Sequence, residues 1–354
     1  MERRTLFDRA RGALVLAVVA GHSVAIVGAP AGPRARGALV LAVVAGHSVA
    51  IVGAPAGPIE RVFEGAYLIR MPALLLISGA LLSFRPLAAE VRAIFTRLAP
   101  AYLAGAAAAT LVTLYLSGDL AIRIFPPPWA LWFLLTLATL RAATSLFPNR
   151  NLALALAVAA ALVASVIQLP GYLSLHRTAT LAPLFVFGVW FGAARLEAIT
   201  LRIGFVRGAV LVAASLLAGM AMISFAELPQ TVLEWRNPLT EYGHSPLFAA
   251  SASTALLLAA LVGSLGIIAM IARVRSSRWL EWCGKESLVI YLGHILIFSV
   301  IRASIEPNGF DDATRLLAII GMSFVGLLFP IAVLLCARWL RRSALRDKQI
   351  EVRR

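Results

Sequence analysis

The chain has 354 residues, of which 60% are hydrophobic and 14% are charged, and its formal net charge is +15. Soluble domains carry about a quarter charged residues, so a mean hydropathy of +0.88 excludes an ordinary soluble protein. Nucleic acid is not expected as a partner, because the arginines lie between apolar runs, as they do in the cytoplasmic loops of membrane proteins. We therefore expect an integral membrane protein whose surroundings are the lipid bilayer.

The first feature in chain order is an exact tandem duplication. Residues 9–33 and residues 34–58 are identical at every position. Two copies are too few for a solenoid, so we expect that an ancestral chain had one. The basic start and apolar run also resemble a secretory signal peptide, but His22 interrupts that run. One copy is expected to span the membrane as helix 1, and the second is favoured because it keeps the short connection to the next span.

Apolar runs of membrane-spanning length recur along the rest of the chain. Backbone polar groups inside a bilayer must be satisfied internally, so these runs predict helices. The predicted fold class is all-α: one membrane domain over residues 1–354, with about ten transmembrane helices and an eleventh apolar segment from the duplication. The predicted spans are 12–28 or 37–53, then 64–84, 94–117, 129–147, 152–168, 178–193, 205–226, 247–271, 283–301 and 316–337.

The charges alternate between the two sides of this predicted bundle. One set of connections and the C-terminal tail are rich in arginine, and the opposite loops are poorer in arginine and contain acidic residues. Basic loops face the cytoplasm. The pattern predicts a multi-pass protein of the plasma membrane with both termini in the cytoplasm.

Two arginine–histidine pairs are the first candidates for chemistry. Arg11 and His22 are eleven residues apart, as are Arg36 and His47. This spacing brings both side chains to nearly the same helix face, with the histidine about 16 Å from the arginine and near the membrane midplane. Ionisable residues inside a membrane are functional candidates, and a histidine there can act as a general base. The alternative is a histidine that packs between helices with one hydrogen bond.

Two further candidates lie in the next spans. Arg70 sits inside an apolar span, before Pro72, and Ser78-Gly79 in the same span permits close helix approach. Trp132 follows a run of three prolines at 126–128. Each has a plain alternative, because Arg70 could extend its charge to the membrane surface and Trp132 could belong to an interfacial aromatic belt.

A final cluster occupies the span near residue 290. Ser287, Tyr291 and His294 are spaced four and three apart, so they share one helix face. Lys285 lies at the basic end of the same span. These residues are candidate substrate-binding groups, although Lys285 could equally anchor the helix and Tyr291 could form an internal hydrogen bond.

Taken in order, these elements resemble the acyltransferase-3 family of membrane sugar O-acyltransferases. Residues 7–12 leading to His22 are similar to the family's helix-1 motif, and Arg70-Met71-Pro72 to Ser78-Gly79 is similar to its helix-2 motif. Trp132-Phe133-Leu134 and residues 284–294 resemble later motifs, the last closest to the fucose O-acetylase-like branch. The resemblance covers nearly the whole chain.

The resemblance implies an activity. An acyl group, usually acetyl, would move from cytoplasmic acyl-CoA to a hydroxyl of a glycan or lipid-linked sugar. Acyl-CoA is then a cosubstrate, and neither a bound cofactor nor a metal is expected. His47 or His22 would act as base or relay, supported by Arg36 or Arg11. The alternatives are a transporter or flippase for an anionic solute or lipid-linked glycan, and a non-catalytic membrane scaffold.

Overall fold

The computed structural model of this chain describes most residues between Ala31 and Glu351. The described residues are 31–53, 62, 65–118, 124–125, 127, 131–225, 228, 230–273, 278–305 and 310–351. Their regular structure is helical, with no strand among them. The first copy of the duplication, with Arg11 and His22, therefore lies outside the described residues except for its last three positions.

The helices follow the apolar runs of the sequence. They are α1 (Ala31–Val52), α2 (Tyr67–Ala80), α3 (Leu87–Ala93), α4 (Ala99–Ser117), α5 (Trp132–Leu146), α6 (Arg150–Val166), α7 (Leu175–Phe225), α8 (Pro246–Arg273), α9 (Arg278–Lys285), α10 (Ser287–Ser304) and α11 (Asp312–Glu351). A π-helical turn, Ile94–Leu98, joins α3 to α4, and 3₁₀ turns occur at Tyr172–Ser174, Gln230–Glu234 and Leu239–Tyr242.

Six helical stretches among the described residues are long and apolar enough to cross a membrane, and α2, α5 and α6 are shorter apolar helices. The predicted fold class, a polytopic membrane helix bundle, is confirmed. Several boundaries differ. The stretch predicted as a connection before residue 94 is already helical from Leu87, α10 begins at Ser287 rather than at residue 283, and α11 extends from Asp312 to Glu351 rather than over 316–337.

Helix α7 contains two of the predicted spans without an intervening loop. Its backbone leaves the helical conformation at Gly192 (φ 69°) and Gly204 (φ 72°), both in the left-handed region that favours glycine. The breaks separate two apolar runs, at 175–191 and 205–225, that correspond to the predicted spans at 178–193 and 205–226. The short segment between the breaks, 193–203, carries Arg195 and Arg202.

Helix α2 lies at the centre of the bundle and contacts α1, α7 and α8. Its close approach to α7 depends on two glycines. A Cβ atom on Gly79 would collide with the carbonyl oxygen of Phe185, and one on Gly188 would collide with that of Leu76. Small residues allow such backbone contact between membrane helices, so this crossing holds α2 where its arginine can face α1.

Ion pairs join the helix ends on the side predicted to be cytoplasmic. Arg141 donates to Glu90 at 2.5 Å, and Arg338 donates to Glu286 at 2.5 Å. Both glutamates are buried. A third pair, Arg34–Glu281 at 3.1 Å, joins α1 to α9. None of the residues in these three pairs lines the cavity described below.

Candidate active site

A cavity of about 590 Å³ lies between α1, α2, α5, α7 and α10. This is within the usual range for small-molecule sites. Four residues singled out in the sequence are among those that line it: His47, Arg70, Trp132 and Tyr291. They come from four different helices, and the fold brings them together.

The second copy of the duplication supplies the cavity's histidine. Helix α1 contacts α2, α8, α9, α10 and α11, so it is an internal helix of the bundle. His47 lies one turn before its end, and the imidazole of His294 from α10 faces it. The ring centroids are 5.1 Å apart, and His294 Nε2 is 3.3 Å from His47 Nδ1.

The hydrogen bonds of this pair define its tautomers. His294 Nδ1 is 2.9 Å from the carbonyl oxygen of Ile290, and His47 Nδ1 is 3.0 Å from that of Val43. A carbonyl only accepts, so both Nδ1 atoms carry hydrogen in the neutral rings. The one hydrogen on His47 Nδ1 is then shared between two acceptors, the carbonyl oxygen of Val43 and His294 Nε2. The remaining nitrogen, His47 Nε2, holds the lone pair that a general base needs.

Aromatic rings surround His294 and fix its position. It contacts Tyr291 at 5.7 Å and Phe298 at 5.5 Å between ring centroids, and Tyr291 in turn contacts Phe133 at 5.9 Å. His294 is fully buried. The arrangement holds the His294 ring in contact with His47.

Arg70 is buried against helix α1. Its Nη1 donates to the carbonyl oxygen of Ala42 at 3.0 Å, and its guanidinium lies 4.3 Å from the ring centre of Tyr67. A Cβ on Gly46 would overlap this guanidinium. Because Gly46 has no side chain, the Arg70 guanidinium can pack directly against α1, next to the residue that precedes His47.

The cavity also contains charged residues that the sequence reasoning missed: Arg177, Glu234, Arg236 and Arg302. Arg177 stacks over Trp132 at 4.5 Å. The sequence did contain a signal for the three arginines. They lie in connections predicted to be external, where the positive-inside bias makes arginine uncommon. An arginine that departs from that bias is a candidate for binding.

Four predicted site residues do not line the cavity. One is His294, which contacts His47 from behind, and the others are Arg36, Lys285 and Ser287. Arg36 is eleven residues before His47 in α1, so it lies about 16 Å away along the helix. Lys285 is exposed at the end of α9, and Ser287 begins α10, seven residues before His294. These three residues share the end of the bundle that carries the ion pairs, whereas Arg11 and His22 lie outside the described residues.

Comparison with known proteins gives one match. A family model described as "Acyltransferase domain" matches residues 5–336. No curated protein and no solved structure matches the chain.

Proposed function

Because this chain belongs to the acyltransferase-3 family and is a multi-pass membrane acyltransferase, we propose that it moves an acyl group, most simply acetyl, from acyl-CoA to a hydroxyl of a glycan or similar acceptor. The observation that carries the proposal is the His47–His294 contact at the cavity, 3.3 Å between ring nitrogens. The resemblance to the fucose O-acetylase-like branch is part of this proposal, as is a location in the plasma membrane.

The proposed reaction uses His47 as general base. Its Nε2 takes the proton of the acceptor hydroxyl while the hydroxyl oxygen forms a bond to the thioester carbonyl carbon. The carbon–sulfur bond then breaks, and the proton passes from His47 to the departing CoA thiolate. The products are an ester and CoA, and His47 is again neutral. General-base assistance of this kind is typically worth roughly 10²–10⁴ in rate.

Arg70 supports the same step electrostatically. It lies against Gly46, the residue before His47, and is 7% exposed. Attack on the thioester places negative charge on the carbonyl oxygen. A fixed positive charge in a poorly hydrated site stabilises such an oxyanion more strongly than it would in water. Arg36, Lys285 and Ser287, at the opposite end, are proposed to meet the CoA moiety, which would enter from the cytoplasm.

The test is acyl transfer by purified protein, using labelled acetyl-CoA and a glycolipid fraction of the cell envelope, with labelled product and released CoA as readouts. Because the duplicated segments are identical, His47→Ala and His22→Ala are matched variants that differ only in the copy changed. We expect His47→Ala to lower the rate by about 10²–10⁴, with unchanged thermal stability, and His22→Ala to keep normal transfer.

Two results would contradict this assignment. Loss of transfer in His22→Ala alone would make the first copy helix 1. Near-normal transfer by the double variant would remove both histidines from the mechanism. A protein that moves labelled glycan across vesicles without using acetyl-CoA would instead be the transporter or flippase.

A further inference from the structure

The charged lining of the cavity is strongly unbalanced. Its described residues include four arginines, Arg70, Arg177, Arg236 and Arg302, and one carboxylate, Glu234. The formal excess is three positive charges. Arg70 is buried in the bundle, where an unpaired charge is costly. Arg236 and Arg302 are exposed at the cavity mouth, where their positive charges attract anions. This imbalance therefore points to a ligand of opposite charge.

The one carboxylate is shared between two of these arginines. Glu234 lies 2.7 Å from Arg236 and 3.8 Å from Arg177, measured between carboxylate oxygen and guanidinium nitrogen. Arg177 also donates to the backbone carbonyl oxygen of Glu234 at 3.0 Å. This pairing holds the 3₁₀ turn against the cavity, but it offsets only one positive charge.

The other two arginines have no carboxylate partner in the part of the chain that the structure describes. Arg70 is satisfied by a backbone carbonyl and an aromatic ring, both of which leave its charge in place. Arg302 is exposed at the end of α10, eight residues beyond His294. That separation is about 12 Å along the helix, so a molecule could reach both His47 and Arg302.

The residue after the shared carboxylate is strained. Trp235 has φ of +58°, a left-handed conformation that is unfavourable for a residue other than glycine. It is 5% exposed and lines the cavity, and its indole N–H has no acceptor among the described residues. Backbone strain and an unmet donor together suggest that this turn is held for binding.

The arginines lie where an acceptor would arrive. The Arg236 side chain is 61% exposed, so the cavity reaches the surface at this point. By the predicted topology this end is external, whereas CoA is a cytoplasmic molecule. An acceptor that enters from outside meets Arg236 and Arg302 first, and His47 lies deeper.

We propose that the acceptor is anionic: it carries a phosphate or carboxylate that Arg236, Arg302 and Arg177 bind, while its reacting hydroxyl reaches His47. This inference rests on the proposed function and adds the chemical class of the acceptor. Guanidinium groups suit both anions, because they form charge-assisted and often bidentate hydrogen bonds. Arg302 and His294 are separated along α10, so the anionic group lies on a different carbon from the reacting hydroxyl. The long arginine side chains span the rest of the distance, so both groups can belong to one sugar.

The test compares three soluble probes: methyl glucoside, methyl glucuronoside and glucose 1-phosphate. We expect the purified protein to use the two anionic probes with kcat/KM roughly tenfold or more above that of the neutral one. The double variant Arg236→Gln/Arg302→Gln should lose this preference through a raised KM for the anionic probes, with the KM for acetyl-CoA unchanged. Arg236 and Arg302 are exposed, so we expect the double variant to fold.

The matched control is Arg92→Gln, which removes one positive charge from an exposed arginine at the opposite end of the bundle.

A binding measurement separates this proposal from the proposed reaction. Titration of the His47→Ala protein with glucose 1-phosphate and with methyl glucoside should give tighter binding of the phosphate, and the double arginine change should abolish the difference. Equal use and equal binding of neutral and anionic probes would overturn the inference and leave acyl transfer intact. A raised KM for acetyl-CoA alone would assign the arginines to CoA phosphates, which also overturns it. Selective phosphate binding without acyl transfer would uphold the anion site and reject the reaction.

Discussion

At the residue scale, the proposed chemistry depends on which nitrogen of each histidine carries a proton. Two backbone carbonyls, on Val43 and Ile290, select the Nδ1–H form of His47 and His294. His294 can then accept from His47, and the lone pair of His47 is left on Nε2. Without His294, the ring of His47 keeps one hydrogen bond but loses the contact that sets its rotation.

This arrangement predicts the effect of changing His294. In His294→Leu we expect kcat to fall about five- to tenfold with KM unchanged, because one hydrogen bond of about 1 kcal/mol corresponds to that factor. His294→Gln should recover much of the rate, since its amide oxygen can approximate the position of Nε2. His294→Asn, whose shorter amide approximates Nδ1, should not. Equal rates for the Gln and Asn variants, or a change confined to KM, would argue against a positioning role.

At the element scale, buried ion pairs fix helices to one another at the end opposite the cavity. Glu90 of α3 is fully buried and forms an ion pair with Arg141 of α5. This pair links the part of the chain before residue 119 to the part after residue 131. A buried pair is not strongly stabilising in itself, but the loss of one partner leaves a buried, uncompensated charge.

We therefore expect Arg141→Ala to lower stability by roughly 3–5 kcal/mol, measured as thermal unfolding of the purified protein in detergent. Replacing both partners, as Glu90→Gln with Arg141→Met, should recover most of the loss because no unpaired charge is left. The exposed change Arg92→Ala should have little effect. Wild-type stability in Arg141→Ala would mean that water or another group already compensates Glu90.

At the scale of the whole molecule, the helices order the charges into two ends. One end has the buried ion pairs and the basic C-terminal part of α11, and the other has the cavity. An acyltransferase that uses a cytoplasmic donor and an external acceptor needs such a division, and the predicted topology assigns the cavity to the outside.

Reporter fusions test this orientation. Fusions truncated after Arg85, just before α3 begins, and after Arg354 should both report a cytoplasmic location, because basic connections are retained inside. Fusions after Gly118 and after Tyr242 should report an external location. An external result at Arg354 would reverse the topology and place the arginine-lined cavity on the cytoplasmic side, where it would face CoA.

The sequence by itself determined the helices and most of the candidate groups. Hydropathy and charge bias are properties of local stretches, so they predicted the bundle, its spans and the buried ionisable residues His47, Arg70 and His294. The exact duplication predicted two equivalent histidines, and only the second copy lies among the described residues, so the active copy stays a prediction.

Only the tertiary structure decided which of these residues meet. His47 and His294 are 247 positions apart, and their contact depends on how α1 and α10 rotate and pack, which no local period records. The same packing brought Arg177, Arg236 and Arg302 to the cavity from separate segments, and left Arg36, Lys285 and Ser287 at the opposite end. Residue spacing along one helix determines which face of that helix a side chain occupies and how deep it lies in the membrane. A site forms only where such faces from several helices meet.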